Sequence, residues 1–469
     1  MESDPAPVYN DAEKTRRKRR KHFRQPAQRG GAPLYHTLYA TPDGLLYDHP
    51  RLGAAGRSGR QVLPLGDGDL VPLPEGASLV LVPDGAPLGY RRGKEEALAR
   101  TPDGKPALAV AACLPQGYTR THLPAFRRGK AAAPLPILGY TAVAWRGGRI
   151  YAAARPTDDP GRWSPRNYNT PDLPRLVEER LAADPENSVL TGLARCALAY
   201  RCFTAQNIFY RRWEGGLPVS PACNARCLGC LSRQEEGGPP APQKRLVSVP
   251  PLADVVAVGL EHLTAASEAI VSFGQGCEGE PLLAARSLAG AVRAMRRQTR
   301  RGTVNMNSNA GYTAGLAAVI DAGLDTLRVS LISAAPATYE AYHRPSYRPE
   351  DVRNSIKLAV RAGVYTSLNL LVFPGLTDCP GEQAALLDLI EDTGLHMVQL
   401  RNLNIDPDVM EPLLPQETPT GIARLIARLR RVPGLEVGNY SRVRPGRAAP
   451  GRPDRSEGGS GASADNPSR

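Results

Sequence analysis

Short β-rich apolar runs alternate with longer amphipathic segments between about residues 215 and 432. The runs that predict strands are Leu217–Ser220, Ala269–Phe273, Thr303–Asn307, Leu324–Leu331, Tyr365–Phe373 and Met397–Leu403. The segments that predict helices are 251–266, 282–299, 313–322, 350–362, 381–393 and 417–431. Six β/α repeats of this kind predict a parallel sheet, either doubly wound or closed into a partial barrel. In both cases the active site is expected at the carboxyl ends of the strands.

The region before these repeats has a different pattern. Residues 32–160 contain repeated Pro-Asp-Gly and Gly-Asp-Gly turn signals between short apolar runs, which predicts a small β-rich N-terminal module. Residues 161–214 are expected to form a helical connector, because apolar residues recur at helical spacing over 173–209. The repeats are assigned to a core over 215–435.

The two ends of the chain are dominated by polar and basic residues. Residues 1–31 carry nine Lys and Arg against four acidic residues, and a dense run of like charge favours a disordered arm. Residues 436–469 are rich in Gly, Ser, Pro and Arg and predict a disordered tail. These ends supply more than half of the net charge of +13, so the charge is weak evidence for a nucleic-acid partner across the rest of the chain.

The composition predicts a globular protein without a membrane partner. Of the 469 residues, 42% are hydrophobic, but no stretch approaches the roughly 20 apolar residues that a membrane span requires. Met1 to Arg20 contains no apolar segment of the secretory type. We therefore expect a cytoplasmic protein, whose eight cysteines do not form structural disulfides.

The loop after the first predicted strand contains three cysteines at C-x3-C-x2-C spacing: Cys223, Cys227 and Cys230. Three thiolates can converge on a soft metal centre, either an iron–sulfur cluster or zinc. Three ligands leave one coordination position open, which is typical of a reactive centre. Incidental buried thiols, or a zinc site with a distant fourth ligand, remain alternatives at this point.

A glycine-rich loop follows the second predicted strand and reads Gly274-Gln275-Gly276-Cys277-Glu278-Gly279-Glu280-Pro281. Glycines allow the backbone to approach a ligand closely. Backbone carbonyls and Glu280 could together hold an ammonium group. Its position, about 50 residues after the three-cysteine loop, makes a chance combination much less probable than either loop alone.

Together these two loops and the β/α order resemble the radical S-adenosylmethionine (SAM) superfamily. The resemblance covers roughly 215–432 and implies an α/β fold with a partial (β/α)6 TIM-type barrel. It further implies that Cys223, Cys227 and Cys230 bind a [4Fe–4S] cluster, whose fourth iron is chelated by SAM. The loop Glu278-Gly279-Glu280-Pro281 resembles the element that contacts the methionyl amine, although the family often has Gly-Gly-Glu where this chain has Glu-Gly-Glu.

Polar residues at later strand ends fit the same resemblance. It implies further cofactor-binding residues at the ends of strands three to six, for which the candidates are Asn307, Ser330, Asn369 and Arg401. Cys277, inside the glycine-rich loop, is a candidate hydrogen donor or covalent partner of substrate, or else a small buried apolar residue. Cys379 is a weaker candidate, and His343 is the only histidine near the predicted site.

The function implied by the resemblance is reductive cleavage of SAM to a 5′-deoxyadenosyl radical, which abstracts hydrogen from a substrate. Such an enzyme takes its electron from an external reductant of the flavodoxin or ferredoxin type. RNA, a peptide or protein, and a small metabolite compete as the substrate. The alternatives from other classes are a non-catalytic iron–sulfur protein in electron transfer and a zinc protein that binds nucleic acid through its basic ends.

Overall fold

The computed structural model describes residues 34–129, 131–159 and 161–444. The predicted arm over 1–31 and the predicted tail beyond 444 lie outside these residues. In the described part of the N-terminal region, thirteen strands form one antiparallel sheet. They are β1 His36–Ala40, β2 Leu46–Ser58, β3 Gln61–Pro64, β4 Leu70–Pro72, β5 Ser78–Val82, β6 Ala86–Arg91, β7 Lys94–Ala97, β8 Leu108–Cys113, β9 Tyr118–Arg120, β10 Leu123–Pro124, β11 Phe126–Arg127, β12 Tyr140–Arg146 and β13 Arg149–Pro156.

The main path of this sheet runs in the order β11-β6-β2-β1-β8-β12-β13-β4. The long strand β2 also pairs with β3 and β10. The predicted β-rich N-terminal region is thus present in the fold.

Three helices connect this sheet to the next: α1 Leu173–Ala183, α2 Ser188–Leu198 and α3 Phe203–Tyr210. Their apolar faces bury Val177, Leu190 and Ile208 in the same hydrophobic core as the strands that follow. The helix α2 begins after Asn187, whose side chain accepts a hydrogen bond from the Leu190 backbone N–H at 2.9 Å. This side-chain cap satisfies one of the free N–H groups of the first turn.

The second sheet is entirely parallel, and its seven strands lie in chain order. They are β14 Arg212–Gly216, β15 Ser267–Phe273, β16 Thr303–Ser308, β17 Thr326–Leu331, β18 Tyr365–Val372, β19 Met397–Asn402 and β20 Glu436–Gly438. This curled half-barrel confirms the predicted α/β partial TIM-type barrel preceded by a β-rich region.

Two predicted boundaries in this sheet are wrong. The first strand is Arg212–Gly216 rather than Leu217–Ser220, because the backbone N–H groups of Val219 and Ser220 are bound by a side chain, Glu278, and not by a strand. The seventh strand, Glu436–Gly438, falls in the segment predicted as a disordered tail, since it pairs with β19 despite its weak local pattern.

The helices that cover the half-barrel are α4 Leu252–Ala265, α5 Ala285–Gln298, α6 Thr313–Ala322, α7 Pro336–His343, α8 Pro349–Arg361, α9 Pro380–Thr393 and α10 Ile422–Leu429. Helix α7 was not predicted, and α10 begins later than the predicted residue 417. Asp378 accepts hydrogen bonds from Thr420 and Gly421 just before α10, which holds those residues outside the helix. In the described part of the chain, no helix is both long and apolar enough to cross a bilayer.

The N-terminal sheet contacts the half-barrel at the carboxyl ends of β18 and β19. The buried Arg120 guanidinium donates hydrogen bonds to the carbonyls of Val372 (3.3 Å) and Leu403 (2.5 Å). Asn402 exchanges two further hydrogen bonds with β9, one of them to the Tyr118 carbonyl at 2.9 Å. The N-terminal region therefore packs on the edge of the sheet where the functional site is expected.

The opposite edge is crossed by the last described residues. The Arg444 backbone N–H donates to the Thr303 hydroxyl at 2.7 Å, and the Arg444 guanidinium lies 3.7 Å from the centre of the Tyr365 ring. Thr303 and Tyr365 are the first residues of β16 and β18. The last described residue thus contacts the amino ends of β16 and β18.

Candidate active site

The three-cysteine loop lies between β14 and α4 and is held against the end of α7. The Arg226 N–H donates to the His343 carbonyl at 2.9 Å, and the Leu228 N–H donates to the Tyr342 carbonyl at 3.1 Å. Two backbone bonds of this kind fix the path of the loop through Cys227. An apolar cluster that includes Leu123, Ile332, Tyr342 and Leu403 packs against the same loop, so the N-terminal sheet contributes to its support.

The thiols of Cys223, Cys227 and Cys230 are near enough to influence one another's ionisation. Burial raises the pKa of Cys223, and burial together with the other two thiols raises the pKa of Cys227 well above its usual range. All three are partly exposed. Three mutually repelling thiolates require positive charge between them, which a metal centre supplies on binding.

The thiols are not arranged for a single metal ion. In the described part of the chain, no three His, Cys, Asp or Glu side chains converge closely enough to hold one. A zinc ion would require its ligands at about 2.0–2.3 Å from one point. A cluster of four irons takes one thiolate at each of three corners, so three thiols that do not converge on one point fit a cluster better than a single ion.

Two donors reach the sulfur atoms of this loop. The Arg245 guanidinium donates to Cys230 Sγ at 3.3 Å and to the Ser232 hydroxyl at 3.0 Å. His343 Nδ1 lies 3.2 Å from Cys227 Sγ. Arg245 had no signal in the sequence, because it lies in a segment that resembles a linker and reaches the loop only through the fold.

The protonation state of His343 follows from its surroundings. The side chain is fully buried, and burial lowers its pKa to about 3, so the imidazole is neutral. Its Nε2 accepts the Ile332 backbone N–H at 3.3 Å, and the single ring proton must therefore sit on Nδ1. His343 thus donates a hydrogen bond to the sulfur of Cys227.

The glycine-rich loop pairs with the chain just before the cysteines. The Gly279 N–H donates to the Ser220 carbonyl and the Glu280 N–H to the Ala222 carbonyl, both at 2.7 Å. A Cβ at Gly279 would lie 1.9 Å from the Ala222 oxygen, so only glycine fits. The two loops predicted from the sequence are therefore joined directly in the structure.

Glu278 is buried and serves as an acceptor for three backbone groups. Its carboxylate binds the N–H groups of Val219 (2.7 Å), Ser220 (2.9 Å) and Gly274 (2.5 Å). Burial raises its pKa to about 7, while these donors act in the opposite direction. The carboxylate was a predicted SAM contact; the structure places it between the end of β14 and the start of the glycine-rich loop.

Glu280 links the same loop to the end of β16. It accepts hydrogen bonds from the Ser308 hydroxyl (2.6 Å), the Asn309 N–H (2.8 Å) and the Leu282 N–H (3.1 Å). An ionised carboxylate has about four acceptor positions, so one is left for an ammonium group. Pro281, the other predicted contact of the loop, is buried at the start of a short 3-10 helix.

Asparagines connect the end of β16 to both loops. Asn307 donates to the Gly274 carbonyl at 3.2 Å, and Asn309 donates to the Asn224 side-chain oxygen at 2.6 Å. Asn307 was a predicted cofactor contact. Asn309 was not, although it belongs to the same polar strand end.

Ser330, Asn369 and Gln399 lie side by side on β17, β18 and β19. The Asn369 amide is 3.4 Å from the Ser330 hydroxyl. Among the described residues, the buried oxygens Asn369 Oδ1 and Gln399 Oε1 accept no hydrogen bond from the protein. Buried amide oxygens without a donor are unusual, and they are suited to a bound polar group.

Arg401 lies apart from these contacts. Its guanidinium binds Gln116 Oε1 at 2.9 Å and Asn439 Oδ1 at 3.2 Å, between the N-terminal region and the C-terminal segment. Burial and the neighbouring Arg328 lower its pKa to about 10. Arg401 was predicted to contact the cofactor, but in the structure its guanidinium is already bonded to the N-terminal region and to the C-terminal segment.

The remaining predicted cysteines, Cys277 and Cys379, have neighbours outside the three-cysteine loop. The neighbouring Cys196 thiol and burial raise the pKa of Cys277 well above its usual range. Cys379 is fully buried, and its thiol donates to the Gly375 carbonyl at 3.3 Å. The influence of Cys196 was not anticipated, because 81 residues separate it from Cys277 in the sequence.

Comparison with known proteins finds a match to the radical SAM superfamily model over residues 217–387. A search of curated proteins finds no match. Among solved structures, SuiB from Streptococcus suis bound to S-adenosylmethionine is similar at 13% identity, with 48% of this chain and 50% of that chain covered and a TM-score of 0.35.

Two further similar structures cover comparable parts of the chain. The FeFe-hydrogenase maturase HydG from Carboxydothermus hydrogenoformans has 13% identity, covers 56% of this chain and 68% of that chain, and has a TM-score of 0.34. A radical SAM methyltransferase from Sphaerobacter thermophilus is similar at 17% identity, with 47% of this chain and 65% of that chain covered and a TM-score of 0.33. The chain spans about half the length of the SuiB structure that it matches. Residues 217–387 therefore form a radical SAM superfamily domain.

Proposed function

We propose that this protein binds a [4Fe–4S] cluster through Cys223, Cys227 and Cys230 and uses it to cleave SAM reductively. The observation that carries the proposal is the direct pairing of the three-cysteine loop with the glycine-rich loop at Gly279 and Glu280. A purely structural metal site has no need of a second loop with a buried, partly satisfied carboxylate beside it.

When bound, the cluster and SAM supply one-electron cleavage of a C–S bond to give a 5′-deoxyadenosyl radical, which abstracts hydrogen from the substrate. The chain's own residues would bind the cluster and orient SAM. The three thiolates hold the cluster, and hydrogen bonds from His343 and Arg245 to two of the sulfurs offset their negative charge.

The glycine-rich loop orients the amino acid portion of SAM in this proposal. Glu278 fixes the loop from within, and Glu280 retains one acceptor position for the methionyl ammonium group. The unpaired oxygens of Asn369 and Gln399 can accept hydroxyl or amino donors from the same ligand. Burial of these groups excludes water from the place where the radical would form.

The electron comes from outside the chain in this proposal, from a reductant of the flavodoxin or ferredoxin type. The substrate belongs to one of three classes: RNA, a peptide or protein, or a small metabolite. The N-terminal sheet packs on the carboxyl ends of β18 and β19, which places it beside the proposed site and makes it the candidate for substrate recognition.

Iron and sulfide counts on anaerobically reconstituted protein test the proposal. The wild type is expected to hold about four irons per chain, and Cys223→Ala, Cys227→Ala and Cys230→Ala are each expected to lose the cluster. The matched control is Cys113→Ala, a partly exposed thiol on β8 in the N-terminal sheet. Zinc instead of iron, or full iron content in the triple variant, would contradict the proposal.

A further inference from the structure

Arg401, near the carboxyl end of β19, is a partly buried cation whose hydrogen-bond partners are neutral. It donates to Gln116 Oε1 at 2.9 Å and to Asn439 Oδ1 at 3.2 Å, and both bonds use one nitrogen, Nη1. Within the described residues, neither Nε nor Nη2 of this guanidinium donates a hydrogen bond. The edge that carries Nε and Nη2 presents two parallel N–H groups, which match the two oxygens of a carboxylate.

The carboxylates around Arg401 already have cationic partners. Glu214 and Asp158 are near enough to influence the charge of Arg401. Glu214 forms an ion pair with Arg328 at 2.9 Å, and Asp158 forms one with Arg442 at 3.4 Å. In the part of the chain that the structure describes, Arg401 itself forms no ion pair. A partly buried charge without a counter-ion is unfavourable, so an anion from outside the chain would restore the balance.

Arg401 extends the row of polar side chains that the proposed function assigns to SAM. Gln399 precedes it by two positions on β19, so the two side chains lie on the same face of the sheet. Asn369 lies beside Gln399 on β18. Gln116 belongs to the N-terminal region, between β8 and β9. A ligand bound to Arg401 would therefore lie beside SAM, on the side of the N-terminal sheet.

The position of Arg401 separates such an anion from the carboxylate of SAM. Glu280, the proposed partner of the methionyl ammonium group, is bonded to Ser308 at the end of β16. Two strands lie between β16 and β19, a separation of about 14 Å along the sheet at about 4.8 Å per strand. Asn439, which follows β20, holds the guanidinium on the side of β19 away from β16. The SAM carboxylate shares a carbon atom with the ammonium group and so stays near Glu280.

We propose that Arg401 and Gln116 bind a carboxylate group of the substrate. Nε and Nη2 of Arg401 would donate to its two oxygens, and the side-chain amide of Gln116 would donate a third hydrogen bond. This inference deepens the proposed function and rests on it only in calling the ligand a substrate. A peptide or a small organic acid carries such a group, whereas RNA does not. Proteins bind RNA phosphates with several cations, and here only one guanidinium is without an anion.

Arginine-specific modification measures this site directly. The full-length, cluster-loaded protein would be treated anaerobically with butane-2,3-dione in borate, with and without N-acetylglycine. Trypsin cleaves after Arg361, Arg401 and Arg424, so modification of Arg401 leaves the peptides 362–401 and 402–424 joined. The rate of this modification is expected to fall by about threefold when N-acetylglycine is present at twice its dissociation constant. The uncharged N-acetylglycinamide should leave the rate unchanged.

A charge placed inside the chain gives the matched variant. Gln116→Glu puts a carboxylate next to Arg401, so N-acetylglycine should no longer protect Arg401 in this variant. Gln61→Glu adds the same charge at an exposed position of β3 and should keep the threefold protection of the wild type.

The choice of anion separates the possible ligands. Stronger protection by N-acetylglycine than by acetate would indicate a peptide, and equal protection would indicate a small acid; both results agree with the proposal. An Arg401 that does not react, equal protection by dimethyl phosphate, or equal protection by SAM would overturn it. Because the readout is a peptide mass, it remains valid even if no iron is bound, and the iron count tests the proposed function separately.

Discussion

The Ser308 hydroxyl donates a hydrogen bond of 2.6 Å to Glu280 Oε1 and so joins the end of the third barrel strand to the glycine-rich loop. Both side chains are buried. The bond has a consequence for function, because it helps to fix the orientation of Glu280, which keeps a spare acceptor position in the proposed site.

Ser308→Ala removes one of three donors from this buried carboxylate. Leaving a buried acceptor short of a donor costs about 1–3 kcal/mol, and a less firmly held carboxylate should raise KM for SAM more than it lowers kcat. Denaturant unfolding and SAM-cleavage kinetics check the two effects. The matched control is Ser355→Ala, whose equally buried hydroxyl is 2.9 Å from that of Thr313 between helices, and which should affect stability alone.

Glu280 should also make stability depend on pH. Burial raises its pKa from 4.5 to about 7, so the folded protein retains a proton that the unfolded chain has lost. By linkage, the contribution of Glu280 to stability falls as pH rises from about 4.5 to about 7 and is constant above and below that window. The difference in unfolding free energy between wild type and Glu280→Gln should change across this window; a difference that does not vary with pH would contradict the shift.

Removing the His343 donor should change the electronic properties of the metal centre. His343→Leu deletes the N–H that donates to Cys227 Sγ, and loss of a hydrogen bond to a ligand sulfur destabilises the more negative, reduced state. The reduction potential of the reconstituted protein is therefore expected to fall, as measured by spectroscopic redox titration. His262→Leu is the control, because His262 is an equally buried histidine that bonds instead to the Trp213 carbonyl. Equal potentials in the two variants would show that His343 only fills space.

Gly279→Ala tests the pairing of the two loops. The added Cβ would lie 1.9 Å from the Ala222 carbonyl oxygen, a backbone atom that cannot move without displacing the three-cysteine loop. SAM cleavage should fall by at least about tenfold, the effect of roughly 1.4 kcal/mol on the barrier. A Cβ added at Gly192 on α2 would meet no other atom within 4 Å. Gly192→Ala should therefore leave activity intact and stabilise the chain by about 0.5–1 kcal/mol. Full activity in Gly279→Ala would mean that the three-cysteine loop and the glycine-rich loop can separate without loss of SAM cleavage.

The ion pair between Glu214 and Arg328 should be important for stability. The two side chains are buried and 2.9 Å apart, and Ser441 donates to Glu214 at 2.7 Å. Burial alone would raise the pKa of Glu214, but Arg328 and Ser441 outweigh it and hold that pKa below its usual value.

Arg328→Met leaves a buried carboxylate unpaired and is expected to cost about 3–5 kcal/mol in denaturant unfolding. Asp67→Asn, which breaks the exposed pair with Arg146, should cost no more than about 1 kcal/mol. Similar losses of unfolding free energy in both variants would show that the buried ion pair contributes no more to stability than the exposed one.

The sequence predicts the barrel well because its signals are local and repeated. Five of the six predicted strands overlap the strands of the structure. The two loops that carry Cys223 and Gly279 were identified by their resemblance to the radical SAM superfamily. The first strand was displaced because Glu278, 59 residues away from Val219, determines where that strand ends. A contact between residues so far apart in the sequence produces no periodic pattern of apolar residues from which it could be predicted.

The same limit applies to the site. Arg245 reaches its partner only after the barrel has formed, and it lies in a segment with no motif of its own. His343 was recognised from the sequence as the only histidine near the predicted site, but its contact with Cys227 was not foreseen. The seventh strand, Glu436–Gly438, is stabilised by pairing with β19 rather than by its own pattern. The sequence therefore did not reveal which side chains contact the sulfur atoms of the predicted cysteine ligands.

The most direct test of the central claim is a SAM-cleavage assay on the reconstituted, dithionite-reduced protein. The account predicts that 5′-deoxyadenosine and methionine form in wild type and are absent when Cys223, Cys227 and Cys230 are all replaced by Ala. A wild-type protein that holds and reduces its cluster yet forms no more 5′-deoxyadenosine than the triple variant would contradict it.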